Sequence, residues 1–188
     1  MSGQKISLNI DYAYKINDPS ADNGYIYKNG NALIIESNYS TKGLGLVMGI
    51  KRIDNMSFRS ERNAILQDLN INYITPFTKQ QSYSLATIYP YISQPNGEMG
   101  TQFEVYYKIP KKSKIGGKYG MNINVNFSNM FTIEKSSPTV GSVIGESGTM
   151  GYTSNFLSLG NDKLFQEWNI ELSKKFNKKI KVLGTYIN

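Results

Sequence analysis

The 188 residues contain no His and no Cys. Imidazole bases, thiolate nucleophiles, disulfides and the usual nitrogen or sulfur metal ligands are therefore absent from this sequence. For proton transfer, what remains is a Ser–Lys arrangement, for which Lys42 and Lys114 are the nearest candidates. Both fall in turn-like sequence, where a solvated ammonium is a poor base, so no catalytic residues are assigned. Asp18-Pro19-Ser20-Ala21-Asp22-Asn23-Gly24 offers oxygen ligands beside a glycine. Its spacing does not follow a calcium loop, and an ordinary turn accounts for it. Gly116-Gly117-x-x-Gly120 has the glycines of a phosphate cradle, but no helix follows to supply the dipole. Arg52, Arg59 and Arg62 fall together in one expected outer loop and could meet phosphates or acidic glycans through bidentate contacts. No cofactor and no metal site is expected.

The remaining charges sit in a different pattern. Glu104, Lys108, Glu167, Glu171, Lys179 and Lys181 alternate with apolar neighbours, and so do Asn122, Asn124, Asn126 and Asn169. Such residues share one face of a strand, because successive side chains of an extended backbone point to opposite sides. Around Met121 to Ser128 the alternation is cleanest: Tyr119, Met121, Ile123, Val125 and Phe127 oppose Gly120, Asn122, Asn124, Asn126 and Ser128. Near the N-terminus, Ile6, Leu8, Ile10, Tyr12 and Tyr14 oppose Ser7, Asn9, Asp11, Ala13 and Lys15.

Along the chain this periodicity predicts an all-β fold, an antiparallel up-and-down meander of about nine strands. The segments centre on 5–16, 31–39, 44–51, 69–73, 82–92, 102–109, 119–128, 167–173 and 180–186. Short links are expected near Ser40, Thr75, Pro110 and Phe176, with longer polar loops between. A long Gly/Ser/Thr-rich insertion spans 132–162 within a single unit of 1–188.

No apolar run reaches the ~20 residues of a membrane helix. A barrel strand, however, hides its hydrophobicity in every second residue. Several segments approach the ~9–11 residues a tilted spanning strand needs. The polar stripe is small and Asn-rich, which suits a lumen. Tyr12, Tyr14, Tyr73, Tyr119, Phe127, Trp168 and Tyr186 fall near segment ends, where amphipathic rings form interfacial girdles. The sequence thus predicts part of a transmembrane β-barrel with a polar interior. No signal-peptide pattern follows Met1, and both ends read as cut, so the chain is expected to be a section of a longer barrel.

Tyr89-Pro90-Tyr91, Gln94-Pro95-Asn96-Gly97-Glu98 and the run from Tyr107-Lys108-Ile109-Pro110-Lys111-Lys112 to Lys118-Tyr119-Gly120 carry a resemblance. They are similar to a family of uncharacterised Bacteroidota outer-membrane β-barrel proteins. The resemblance implies a location and a fold and brings no activity or substrate.

The expected function is a non-enzymatic outer-membrane barrel serving as a pore, uptake channel or surface anchor. Its partners would be membrane lipid and a small solute or glycan. Nucleic acid is not expected, because the aromatics alternate away from the lysines. The alternatives are a soluble secreted β-sandwich or β-barrel binding glycans or lipids, and a barrel subunit of a surface or secretion complex.

Overall fold

In a computed structural model, residues 3–66, 68–80, 87 and 90–188 are described. Seven strands follow one another: β1 (Lys5–Lys15), β2 (Gly30–Thr41), β3 (Leu44–Asp54), β4 (Glu98–Ile109), β5 (Met121–Ile133), β6 (Leu159–Lys175) and β7 (Lys181–Ile187). They form one sheet in the order β1-β2-β3-β4-β5-β6-β7, each antiparallel to its neighbour. The all-β antiparallel meander is as the alternation predicts. Among the described residues, β1 and β7 each pair on one side.

Strand number departs from expectation. The segment at 69–73 forms no strand and contributes an isolated bridge, Arg59↔Asn70. Its alternation is short, and its polar side chains are taken up locally: Asn72 Nδ2 donates to the Met56 carbonyl at 2.6 Å. The segment at 82–92 lies largely outside the described residues. Among the described residues no strand falls between β3 and β4, and the short link expected near Thr75 lies in the connection between them.

With that correction the connections alternate strictly. The links 42–43, 110–120 and 176–180 lie at one end of the sheet; 16–29, 55–97 and 134–158 lie at the other. Antiparallel neighbours joined in sequence require the links to alternate ends. The links at the first end are all shorter than those at the second. The lengths of β1 to β6, from 11 to 17 residues, exceed the ~5–6 of average strands.

Register fixes which side chains share a face. Leu8, Ser37, Met48, Phe103, Phe127 and Trp168 form one cross-strand row, and Tyr39, Leu46, Val105, Val125 and Ile170 the next. No Lys, Arg, Asp or Glu enters this face between Leu44 and Ile50, Met99 and Ile109, Met121 and Phe131, or Gln166 and Leu172. These side chains are largely uncovered: Leu46, Met48, Phe103, Val105, Trp168 and Leu172 are all exposed. Among the described residues buried apolar side chains are few, namely Ile26, Ile53, Phe77, Met130, Ile133 and Tyr152. The accessible surface is 12195 Å² for a 21.2 kDa chain, against the ~9,100 Å² that a compact soluble monomer of this mass presents. The excess follows from an apolar sheet face that no second layer covers among the described residues.

Candidate functional site

The opposite face is polar, exposed along β1 and buried at its centre on β5 and β6. Val47, Glu104, Asn126 and Asn169 form one row across β3 to β6, and Gly49, Gln102, Ser128 and Glu167 the next. Asn126, Ser128 and Asn169 are completely inaccessible to water. Lys79, from the connection between β3 and β4, reaches Asn169 there. Phe77, itself buried, lies against Gly49, where a Cβ would come within 2.7 Å of the ring. Glycine inside a strand commonly marks such a close approach. A Gly49→Ala substitution is expected to cost about 1–3 kcal/mol through overpacking and to loosen residues 75–79, measured as faster protease cleavage there.

Beside Phe77 stands the central polar contact of the interior. Lys51 and Glu98 are both fully buried and form an ion pair. Lys51 Nζ also donates to the Thr75 carbonyl at 2.9 Å and to Ser93 Oγ at 2.8 Å. Glu98 Oε2 accepts from the Tyr91 hydroxyl and from the Gln94 backbone N–H at 2.7 Å. Burial, then the Glu98 carboxylate, pushes the Tyr91 phenol far up, so it stays a donor. Farther across, Tyr91 stacks on Phe165 of β6 with ring centres 4.8 Å apart. Lys79 reaches Asn169 Oδ1 at 3.3 Å and Glu171 at 3.8 Å. The segment thus spans the polar face from β3 to β6, three strand spacings or roughly 14 Å.

Of the residues read as lumen-facing, Asn124 donates to Glu104 at 2.6 Å, and Asn122, Glu167 and Glu171 are half-buried on the same face. Lys108 and Lys181 are exposed near the short-turn end. Lys179 lies outside β7, in the turn 176–180, where its N–H is held by Asn177 Oδ1 at 2.8 Å.

The aromatics divide. Tyr12, Tyr14 and Tyr186 are exposed on the apolar face, and Tyr119 sits in the 110–120 turn. Phe127 and Trp168 are not at strand ends; they pair in mid-sheet, ring centres 4.4 Å apart. Tyr73 belongs to the 55–97 connection and lines a cleft of about 370 Å³ with Asp22 and Arg59.

The basic trio also separates. Arg52 is in β3, not in a loop, and is buried against Asn31, Asp54 and Ser154 with its guanidinium over Phe156. Arg59 is buried and donates to Asp22, Ser57 and the carbonyls of Leu66 and Asp68. Buried as they are, neither faces outward as a free phosphate ligand. Arg62 is exposed, and its carbonyl accepts from the Ala21 N–H at 2.7 Å.

Contacts also join the three long connections at the long-loop end of the sheet. Asn96 Nδ2 donates to Asp22 Oδ2 at 3.0 Å and to the Asp22 carbonyl at 2.8 Å. Backbone bonds Tyr27 N–H to Thr149 and Gly148 N–H to Tyr25 join the first and third loops. Tyr152 donates to the buried Asp54 at 2.6 Å. Burial, with the Asp54 charge next, pushes the Tyr152 phenol far up and keeps the proton on it. Tyr152→Phe is expected to cost about 1–3 kcal/mol, since Asp54 loses a buried donor. Limited proteolysis should then cut first within 134–158.

Sequence reasoning missed Lys51, Phe77 and Glu98. The one available signal was Gly49, a small residue two positions before a lone cation on the polar stripe. Among the described residues no three Asp or Glu side chains converge as a metal site, and no helix is long and apolar enough to cross a membrane. No curated protein and no solved structure matches this chain. A family model matches its full length, residues 1–188, and the chain belongs to a protein family of unknown function (DUF6029).

Proposed function

We propose that this chain forms part of the wall of a non-enzymatic β-barrel in a bacterial outer membrane, of the Bacteroidota kind that the 107–120 sequence resembles, with its interior occupied by its own 55–97 connection. One observation carries the reading: the charge-free apolar face is bare, while Asn126, Ser128 and Asn169 at the centre of the other face are buried and Phe77, Lys79 and Tyr91 lie against that face. A water-soluble sheet does the reverse, hiding its apolar face in a core and wetting the polar one. In hydrocarbon an uncovered apolar face costs nothing, and a charge-free one is required.

An occupied interior favours a surface anchor or closed pore over an open channel. The neighbours would be acyl chains outside and, at the locked mouth, a solute or glycan. The test is fractionation of the full-length product followed by planar-bilayer recording. Stable membrane insertion with little conductance is expected. A product that stays monodisperse without detergent would support a soluble sandwich instead, and large steady conductance would support an open porin-like channel.

A further inference from the structure

Charge is distributed very unevenly between the two ends of the sheet. Residues 15–31, 51–100 and 132–163, at the long-loop end and in its connections, carry nine Lys or Arg and nine Asp or Glu. Stretches 42–43, 108–120 and 174–181, at the short-turn end, carry eleven Lys and no Asp or Glu. The strands between add Lys5 against five acidic residues, so the net charge of +7 arises from the short-turn rim.

These lysines are unlike those at the other end. Every ion pair among the described residues uses a cation from the long-loop half or from its connections. Lys111, Lys112, Lys114, Lys178 and Lys179 are exposed, and none of them is ion-paired among the described residues. Turns meant only to dissolve in water mix both signs; this rim does not.

Its position says which anion it suits. In register, Ile109 faces Met121 and Met121 faces Lys174, so the lysines begin where the apolar face ends. Apolar side chains stand among them: Ile115, Phe176 and Ile180 are exposed. Lys118 and Lys175 both lie over the Tyr119 ring, at 5.8 and 5.9 Å. Aromatic rings and long cationic stems at the edge of an apolar band are the chemistry of the bilayer interface. The 110–120 loop is not a cradle for a single phosphate: the N–H groups of Gly116, Gly117 and Gly120 are taken by Ser113 Oγ, the Ser113 carbonyl and the Gly116 carbonyl. The rim therefore presents point charges to a layer of headgroups.

We propose that the short-turn rim binds anionic phospholipid headgroups of the leaflet it faces. This rests on the membrane reading above, and the experiment separates the two. The full chain is reconstituted in phosphatidylcholine vesicles with and without phosphatidylglycerol, and the lipids it retains on extraction are counted by native mass spectrometry. A variant carrying Gln at 111, 112, 114, 178 and 179 is treated identically.

The chain should insert in both vesicles and enrich phosphatidylglycerol. The variant should insert equally and lose that enrichment at least tenfold, given roughly fivefold per lysine near an anionic surface. Insertion without enrichment, or enrichment unchanged in the variant, overturns the rim proposal and leaves the barrel standing. Capture of an acidic polypeptide such as polyglutamate in place of the lipid preference also overturns it. Failure to insert in either vesicle overturns the membrane reading itself.

Discussion

Lys51→Met is expected to destabilise the folded protein by about 3–5 kcal/mol, the usual penalty for removing one partner of a buried ion pair. The magnitude follows from where the other partner is left. Glu98 is completely buried in β4. Its Oε2 keeps the Tyr91 hydroxyl and the Gln94 N–H, but its charge loses the one cation paired with it. The Thr75 carbonyl and Ser93 hydroxyl lose their donor as well. Because both of these belong to the 55–97 connection, the damage falls on the attachment of that segment to the wall. Urea unfolding in detergent or vesicles measures the loss. Under the membrane reading proposed above, single-channel recording measures a second consequence, a rise in conductance as the segment detaches. The double variant Lys51→Met/Glu98→Met should recover most of the stability, since replacing a whole buried pair by apolar groups is often neutral or better. If the single variant unfolded like the parent, the pair would not hold the segment in place.

The meander was legible because its signal is local. Period two from Ile6 to Tyr14 or from Met121 to Phe127 fixes strand and face together, and the register then puts Met48, Phe103, Phe127 and Trp168 side by side without further information. The interior was not legible, for the opposite reason. Leu69, Ile71 and Tyr73 alternate like a short strand, yet that stretch is spent on contacts such as Asn72 with Met56 and Arg59 with the Asp68 carbonyl. Alternation over a few residues does not say whether a neighbouring strand is free to pair with them.

Arg52 and Arg59 show the same limit for charge. Asn31 and Ser154 on Arg52, and Asp22 on Arg59, are brought in from distant stretches of the chain, so spacing alone left the two arginines looking like free loop cations. Glu98 pairs with a lysine in the preceding strand across a long connection, and only Gly49 hinted that something would press on that face. Lys179 reads as a strand residue until Asn177 is seen to accept from both the Lys179 and Ile180 N–H groups, which holds the turn open to that point.

Val105→Arg separates the two physical environments that remain in competition for the bare face. Val105 sits between Leu46 and Val125 in the middle of the apolar rows and is 39% exposed. In water a substitution at so open a site changes stability within about ±0.5 kcal/mol, and the longer arginine would improve solubility. In a bilayer the same residue lies near mid-depth, where an arginine on the lipid face costs about 2–4 kcal/mol. The sign on the polar face is reversed: Asn122→Arg, half-buried toward the short-turn end, points away from lipid and should cost less than the Val105 variant. Folding into phosphatidylcholine vesicles against urea gives both numbers. A large loss at Val105 with a small one at Asn122 is the result that an acyl-chain environment produces. A negligible loss at Val105 would mean that the face is bathed in water, and with it the membrane assignment would fall.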